Sequence, residues 1–138
     1  MGTLIELVGI GVDVEDIDRW HDLLSRIPAR QLDTMFSAGE QASCNAGGDP
    51  ASAYAGKWCA KEAVRKATSS LAPLTLRRII VLNEPSGAPR VTIEDGPVVF
   101  DQVEVQVSIT HSASSAAAVA IAFRTGTRGP MPQRGASE

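Results

Sequence analysis

The pattern of apolar and polar positions predicts a strand followed by helices at the start of the chain. Residues 4–14 form a β-branched apolar run without helical periodicity, which is typical of a buried strand. Gly9 and Gly11 remove side chains at alternate positions, which lets another backbone or a ligand approach closely. Residues 15–26 carry apolar side chains at helical spacing and predict a helix. Pro28 either ends this helix or opens a second short one.

Two further helices are predicted in the middle of the chain. Ser37 precedes Glu40 by three residues, which is the capping-box spacing, so we expect a helix to begin there. Residues 45–50 have the Asn, Gly and Pro composition of a loop. Residues 51–71 are rich in Ala, Lys, Glu and Arg and give the strongest helix prediction in the chain. Pro73 marks the predicted end of that helix.

The second half of the chain reads as strands. Residues 78–83 and 89–93 predict two strands joined by a hairpin-like turn at residues 84–88. Residues 103–109 alternate Val or Ile with polar residues, which predicts a half-buried strand, and residues 116–123 predict another. The order of strand, helices and then strands indicates an α+β fold.

The length of 138 residues is typical of one domain. We expect that domain to occupy residues 1–125, since a chain of this size can bury about two-thirds of its unfolded surface. Residues 126–138 contain two Pro and three Gly without apolar periodicity. They predict a flexible C-terminal tail.

Charge is unevenly distributed along an acidic chain whose net charge is −3. The segment 57–78 holds six basic residues and one acid, so it carries +5 and the rest of the chain carries −8. A concentrated basic block in an acidic protein indicates a local anion site rather than general nucleic-acid binding. A solvated helix face is the alternative, and charge alone does not decide between them.

The sequence also predicts a location. No apolar stretch approaches the ~18 residues needed to span a bilayer, and the first residues lack the flanks of a signal peptide. Cys44 and Cys59 are 15 residues apart without a CxxC motif, so they indicate neither a zinc site nor a disulfide. Two unpaired thiols fit a reducing cytoplasm, and we expect a cytoplasmic protein without membrane partners.

A few polar residues stand where chemistry is expected, although each has an ordinary explanation. Asp13 ends an otherwise apolar strand, where a charge must be paired, hydrated or bound to a metal ion. Glu62 and Lys66 are four residues apart and share a helix face, as in many surface ion pairs. Trp58 shares that face, which favours the wall of a pocket. His111 ends the alternating strand, where a loop or cap role is the alternative.

The combination of five motifs is far more specific than any member. They are Gly-Ile-Gly-Val-Asp at residues 9–13, Phe-Ser-Ala-Gly-Glu at 36–40, Trp-Cys-Ala-Lys-Glu-Ala-Val-Arg-Lys at 58–66, Pro-Ser-Gly-Ala-Pro at 85–89 and Val-Ser-Ile-Thr-His-Ser at 107–112. In this order they resemble the holo-acyl-carrier-protein synthase family, the short group of 4′-phosphopantetheinyl transferases. The resemblance covers residues 7–123. It implies the phosphopantetheinyl transferase fold, in which an antiparallel sheet packs against a long central helix.

The resemblance implies transfer of 4′-phosphopantetheine from coenzyme A to a serine of an apo acyl carrier protein, with release of adenosine 3′,5′-bisphosphate. It implies that Asp13 and Glu62 hold Mg²⁺ and that Lys66 contacts the coenzyme A phosphates, all three being catalytic. Two carboxylates beside a pyrophosphate need a cation between them, and Mg²⁺ accepts such a ligand set. The serine proton passes to Glu62 or to a water, and the residues do not choose between them.

The same resemblance assigns a coenzyme A site with three departures from the family pattern. Its residues are Lys57, Lys66, Ser86, Gly87, Thr110 and His111. Lys57 stands where the family often has Arg, which keeps the charge but loses bidentate geometry. Ala88 replaces a common Lys, for which Arg90 offers partial compensation, and Ser69 replaces a Gly.

The resemblance further implies a carrier-docking patch and a homotrimer. Arg19 matches a basic position that meets the carrier, and Arg26 lies seven residues further on the same side of the helix. Sites shared across subunit boundaries are expected. The implied role is in fatty-acid biosynthesis, although the residues do not say whether the carrier serves fatty-acid, polyketide or peptide assembly. The alternative is a non-catalytic homologue that binds coenzyme A or a carrier protein.

Overall fold

The computed structural model describes residues 2–127. The helices and strands, in chain order, are β1 (Thr3–Asp16), α1 (Ile17–Arg26), α2 (Ala29–Asp33), α3 (Ala38–Ala46), α4 (Pro50–Thr68), β2 (Ile79–Asn83), β3 (Pro89–Ile93), β4 (Val103–His111) and β5 (Ser115–Thr127). Short 3₁₀ turns precede β2 and β4. Among these residues, no helix combines the length and apolarity that crossing a membrane requires.

Two antiparallel sheets surround α4. One sheet has the order β1-β5-β4, and β2 and β3 form a separate hairpin. The inner face of β5 carries buried alanines, whose small side chains let α4 lie close against the sheet; they are Ala116, Ala118, Ala120 and Ala122. The predicted α+β fold, with an antiparallel sheet packed on a long central helix, is confirmed.

The two glycines of β1 bring its backbone onto that of α4. A Cβ atom on Gly9 would collide with the carbonyl of Ala67, and one on Gly11 would collide with the carbonyl of Ala63. The close approach predicted for these glycines is therefore made by another backbone. The pairs also show that a step of two residues along β1 corresponds to a step of four residues back along α4.

Helix and strand ends follow the predicted signals, with small shifts. The capping box is present, since Ser37 accepts from the Glu40 amide and Glu40 accepts from the Ser37 amide. The helix α4 begins at Pro50 behind an Asp49 cap and ends at Thr68, three residues before the predicted end.

The predicted tail needs a correction at its start. Gly126 and Thr127 belong to β5, where they pair with Leu4 and Thr3. The ladder with β1 supplies hydrogen bonds that composition alone did not reveal. The remainder of the predicted tail, residues 128–138, lies outside the described residues.

A fully buried ion pair joins α3, α4 and β2. Lys61 Nζ lies 2.8 Å from Glu40 Oε1, and both side chains are 0% exposed. The ammonium also donates to the carbonyls of Leu76 and Ile79, while Glu40 Oε2 accepts from the Val81 amide at 2.9 Å. Burial lowers the pKa of Lys61, and Glu40 opposes that shift. These bonds fix the β2–β3 hairpin against α4.

The tryptophan of the helix motif packs inside the protein. Trp58 lies 5.8 Å, centroid to centroid, from both Trp20 and Phe36, and Tyr54 stacks on Trp20 at 6.5 Å. Trp58 is partly buried and packs against this aromatic cluster, which includes Trp20 of α1. Its pocket-wall interpretation stays a prediction.

Candidate active site

Asp13 and Lys66 meet where β1 crosses α4. Lys66 Nζ lies 3.3 Å from Asp13 Oδ1 and donates to the Val12 carbonyl at 2.9 Å. The Asp13 side chain is 17% exposed. Its second oxygen, Oδ2, is buried and has no hydrogen-bond partner within residues 2–127. An unpaired buried carboxylate oxygen is costly, so this atom marks a place for a cation or another donor.

The thiol of Cys59 shows which part of α4 Asp13 lies against. Cys59 Sγ donates to the Ala116 carbonyl at 3.4 Å, and burial followed by the nearby Asp13 charge raises the pKa of the thiol to about 12. The thiol therefore stays protonated and is no nucleophile at neutral pH. Cys59 lies one turn before Ala63 on α4. Because two residues along β1 correspond to four residues back along α4, Cys59 is the residue expected opposite Asp13.

Glu62 lies on the part of α4 that borders Asp13. It follows Cys59 by three residues and precedes Lys66 by four, so the three side chains are neighbours on the helix surface. Glu62 Oε2 accepts from Arg65 Nη2 at 2.7 Å. The Glu62 side chain is 16% exposed and that of Arg65 is 49% exposed. The guanidinium thus holds one of the two carboxylate oxygens.

Two carboxylates are a ligand set that a magnesium ion accepts. The described residues hold no group of three or more His, Cys, Asp or Glu side chains with metal-binding geometry. Mg²⁺ commonly binds through one or two carboxylates and completes its octahedron with phosphate oxygens and waters. The unpartnered Asp13 Oδ2 is a ligand of that type, and Glu62 is the one acidic residue of α4.

A groove of about 770 Å³ opens beyond the other end of α4. It is bounded by the N-terminus of α4, the β2–β3 hairpin and the end of β4. Three of the predicted coenzyme A residues line it: Lys57, Gly87 and His111. Ser86 lies in the same turn, where its hydroxyl accepts from the Ala88 amide at 3.3 Å. Thr110 alternates with His111 along β4 and points to the opposite face.

Lys57 also makes a contact within the protein, beside its predicted coenzyme A role. Only 5% of the residue is exposed, and its Nζ donates to the Val81 carbonyl at 2.9 Å. The ammonium thus holds the β2–β3 hairpin at the groove wall. A lysine can serve this carbonyl with one donor and keep two others, and the sequence did not indicate the contact.

The start of α4 is a part of the groove that the sequence analysis missed. Gly47, Gly48, Asp49 and Ser52 line the groove there. Asp49 Oδ1 accepts from the Ser52 amide at 3.4 Å and Pro50 has no amide hydrogen, so this helix start already has its own acidic cap. The Asp-Pro pair at residues 49–50 is a helix-start signal that could have located this feature, although the segment was interpreted as a loop.

The two halves of the predicted site are separate within one chain. Asp13, Glu62 and Lys66 are not among the residues that line the groove. Lys57 and Lys66 are nine residues apart on α4, which corresponds to about 14 Å along the helix axis. Residues that are close together in the sequence motif are thus not all close together in the folded chain.

The predicted docking residues lie on the surface of α1. Arg19 is exposed and forms no ion pair within residues 2–127. Arg26 is also exposed, and its guanidinium lies 3.0 Å from Asp22. Arg19 therefore carries the less compensated charge of the two.

Comparison with known proteins shows the family. The 4′-phosphopantetheinyl transferase superfamily matches residues 9–122. The chain belongs to that superfamily. It is 34% identical to the holo-[acyl-carrier-protein] synthase of Nocardia farcinica, with 83% of this chain and 86% of that protein covered. The predicted resemblance and the prediction of an enzyme are both confirmed.

Solved structures of family members have the same fold. The acyl carrier protein synthase of Mycobacterium tuberculosis is 35% identical, with a TM-score of 0.66 over 86% of this chain and 98% of that one. The Helicobacter pylori holo-[acyl-carrier-protein] synthase in complex with coenzyme A is 26% identical, with a TM-score of 0.69 over 82% of this chain and 98% of that one.

Proposed function

We propose that this chain transfers 4′-phosphopantetheine from coenzyme A to a serine of an apo acyl carrier protein, with Mg²⁺ as cofactor. The serine oxygen forms a bond to the phosphorus that carries the pantetheine arm. The bond from that phosphorus to the leaving adenosine 3′,5′-bisphosphate breaks, and the serine proton leaves to a base. The observation that carries this proposal is the buried, unpartnered Asp13 Oδ2 at the β1–α4 crossing, beside Lys66 and Glu62.

Asp13 and Glu62 are the proposed holders of Mg²⁺, which when bound supplies charge stabilisation for the phosphoryl group. Lys66 is 53% exposed, so its ammonium can turn from Asp13 to a phosphate oxygen without unburying a charge. This adds a cation where negative charge develops on the leaving group. Glu62 is the nearest carboxylate that can receive the serine proton, with a water as the alternative base.

The groove at the other end of α4 is the proposed site for the nucleotide end of coenzyme A. The groove is lined by Lys57, Gly87 and His111, three of the residues that the family resemblance assigns to coenzyme A. Ser86 and Lys57 support the same wall from the hairpin and from α4. The Helicobacter pylori relative, whose structure contains coenzyme A, favours the same ligand for this chain.

We also infer a homotrimer. The outward face of β1 exposes Ile10, Val12 and Val14 by 60–64%, and the paired β5 adds Val119 and Ile121. A contiguous apolar surface of this kind is typical of an interface. A neighbouring subunit at β1 also offers a way to bring its groove beside these carboxylates. With Cys44 and Cys59 both free and buried, we infer a cytoplasmic enzyme.

The decisive experiment measures the mass of the carrier protein by mass spectrometry. Incubation of the protein with an apo carrier, coenzyme A and Mg²⁺ is expected to add one phosphopantetheine mass to the carrier. Glu62→Gln is expected to slow this by more than about 100-fold, since it removes a metal ligand rather than an outer-shell partner.

The matched control is Glu94→Gln, which changes an exposed acid that lies 4.0 Å from Arg77. It should retain full activity. An unchanged carrier mass with the native protein would favour the alternative, a homologue that only binds coenzyme A or the carrier.

A further inference from the structure

Each proposed metal ligand is already paired with a cation from α4. Lys66 Nζ lies 3.3 Å from Asp13 Oδ1, and Arg65 Nη2 lies 2.7 Å from Glu62 Oε2. Arg65 and Lys66 are adjacent in sequence, so their side chains leave the helix about 100° apart and reach the two acids separately. Without a ligand, each of the two carboxylates is therefore already balanced by a positively charged side chain of α4.

The two pairs differ in the length of the contact. Lys66 Nζ lies 3.3 Å from Asp13 Oδ1, and Asp13 keeps a second oxygen without a partner in residues 2–127, so a cation can reach it while Lys66 stays in place. Glu62 is mostly buried, and its Oε2 is held by the shorter, 2.7 Å contact with Arg65. Charge-assisted contacts of this length occupy carboxylate lone pairs that a metal ion would also need.

We propose that Arg65 competes with the divalent cation for Glu62 and so weakens metal binding by this chain. The inference rests on the proposed function, because it takes Asp13 and Glu62 as the metal ligands. A bound cation and a guanidinium on one carboxylate repel each other at close range, so the cation displaces Arg65. The guanidinium is half exposed and returns to water at small cost.

Manganese binding to the ligand-free protein tests this competition. The free Mn²⁺ signal in electron paramagnetic resonance gives Kd without coenzyme A or carrier. Arg65→Gln is expected to lower Kd about 3- to 5-fold, the upper part of the range that exposed ion pairs of this kind support. Arg65→Lys, which keeps the charge but loses the planar fork, is expected to lie between Arg65→Gln and the native protein.

Arg77→Gln is the matched control. Arg77 is 39% exposed and lies 4.0 Å from Glu94, so its loss removes the same charge from another ion pair. Its Kd should stay within about twofold of the native value, since the exposed charge is screened at a distance. Equal Kd values for Arg65→Gln and native protein, or an equal fall for Arg77→Gln, would overturn the proposal.

A second measurement follows the displaced side chain directly. The Nε–H resonance of Arg65 in nuclear magnetic resonance is expected to shift during a Mg²⁺ titration, with the midpoint of Mg²⁺ binding. A resonance that does not move while Mg²⁺ binds would show that Arg65 is not displaced, and would sink the proposal.

Glu62→Gln separates this inference from the proposed function. It is expected to weaken Mn²⁺ binding in any background. If Mn²⁺ binding does not depend on Glu62, the proposed metal site and the competition both fail. If binding depends on Glu62 but not on Arg65, the competition alone fails and the transferase proposal stands.

Discussion

Single side chains show how burial sets chemistry in this protein. Asp13 is mostly buried, and one of its oxygens has no partner within residues 2–127, which is unfavourable unless something else binds there. Lys61 is fully buried, yet it has a carboxylate and two carbonyls around its ammonium. The first arrangement is open to a ligand, and the second holds the fold together.

The two cysteines predict how stability depends on pH. Burial is the main cause that raises the pKa of Cys44 to about 11 and that of Cys59 to about 12, from an ordinary value of 9.0. The folded state holds these protons after the unfolded state has released them. Stability is therefore fully present below pH 9 and is lost as pH rises towards 11–12.

The expected loss is about 1 kcal/mol per thiol at pH 10. Measured by circular dichroism, Tm should fall between pH 8 and pH 10 by roughly 5–10 °C more in the native protein than in Cys44→Ala/Cys59→Ala. Parallel pH curves for the two proteins would contradict this. Only the dependence of Tm on pH is compared between the two proteins, so a constant loss of stability caused by the substitutions does not matter. Lys61 acts in the opposite direction, because burial lowers its pKa, but it is present in both proteins and its effect cancels.

At the scale of elements, the crossing of β1 and α4 decides where the candidate ligands lie. Gly9 and Gly11 allow backbone contact with α4, so the next inward residue, Asp13, is forced against the helix. A bulge between Leu7 and Gly9 shifts the alternation of β1. Apolar side chains consequently remain on the outer face of β1 on both sides of the bulge.

The surface of α1 gives a prediction for carrier binding. Arg19 is exposed without an ion pair in the described part of the chain, whereas Arg26 is compensated by Asp22 at 3.0 Å. Acyl carriers of this kind are acidic, so Arg19→Glu is expected to raise KM for the carrier about 10-fold and to leave KM for coenzyme A within twofold. Steady-state kinetics with each substrate varied in turn measures both constants.

Arg26→Glu is the internal comparison for that experiment. Because Asp22 already offsets the Arg26 charge, its effect on the carrier KM should be smaller than that of Arg19→Glu. Equal rises in both Michaelis constants for Arg19→Glu would remove the docking assignment.

At the scale of the whole molecule, one chain holds the two parts of the proposed site apart. The carboxylates lie at the β1–α4 crossing, and the groove with His111 lies at the far end of α4. The apolar outer face of β1 borders the carboxylates, so the proposed trimer contact would form next to them. Shared sites are the arrangement that this geometry favours.

Mixing inactive chains tests the shared site. Asp13→Ala chains and His111→Ala chains are each expected to be inactive, and mixing them with verified subunit exchange should restore part of the native activity. A restored site takes its carboxylates from one chain and His111 from another. No recovery after exchange would argue against shared sites.

The matched control mixes Asp13→Ala with Glu62→Gln. Both residues belong to the crossing within one chain, so no combination of subunits rebuilds an intact carboxylate pair. This mixture is expected to stay inactive. Recovery here would mean that Asp13 and Glu62 act from different subunits.

Local sequence rules were enough for most helices and strands, the capping box at Ser37, a close approach at Gly9 and Gly11 and the family itself. Each depends on spacing within a few residues or on an ordered set of motifs. That the approach is made by α4 came from the structure. The predicted end of α4 was three residues too late. The predicted β5 was too short, because pairing with the distant strand β1 extends it. Composition contains no record of that pairing.

Other features depend on contacts between residues far apart in the chain, and only the folded structure decided them. Lys57 bonds to Val81, Trp58 packs on Trp20, and Asp13 meets Lys66 across 53 positions. Residue type shows what such a side chain is able to bind. Which partner it binds depends on how the sheet and α4 pack, since packing alone brings the two groups within hydrogen-bonding distance.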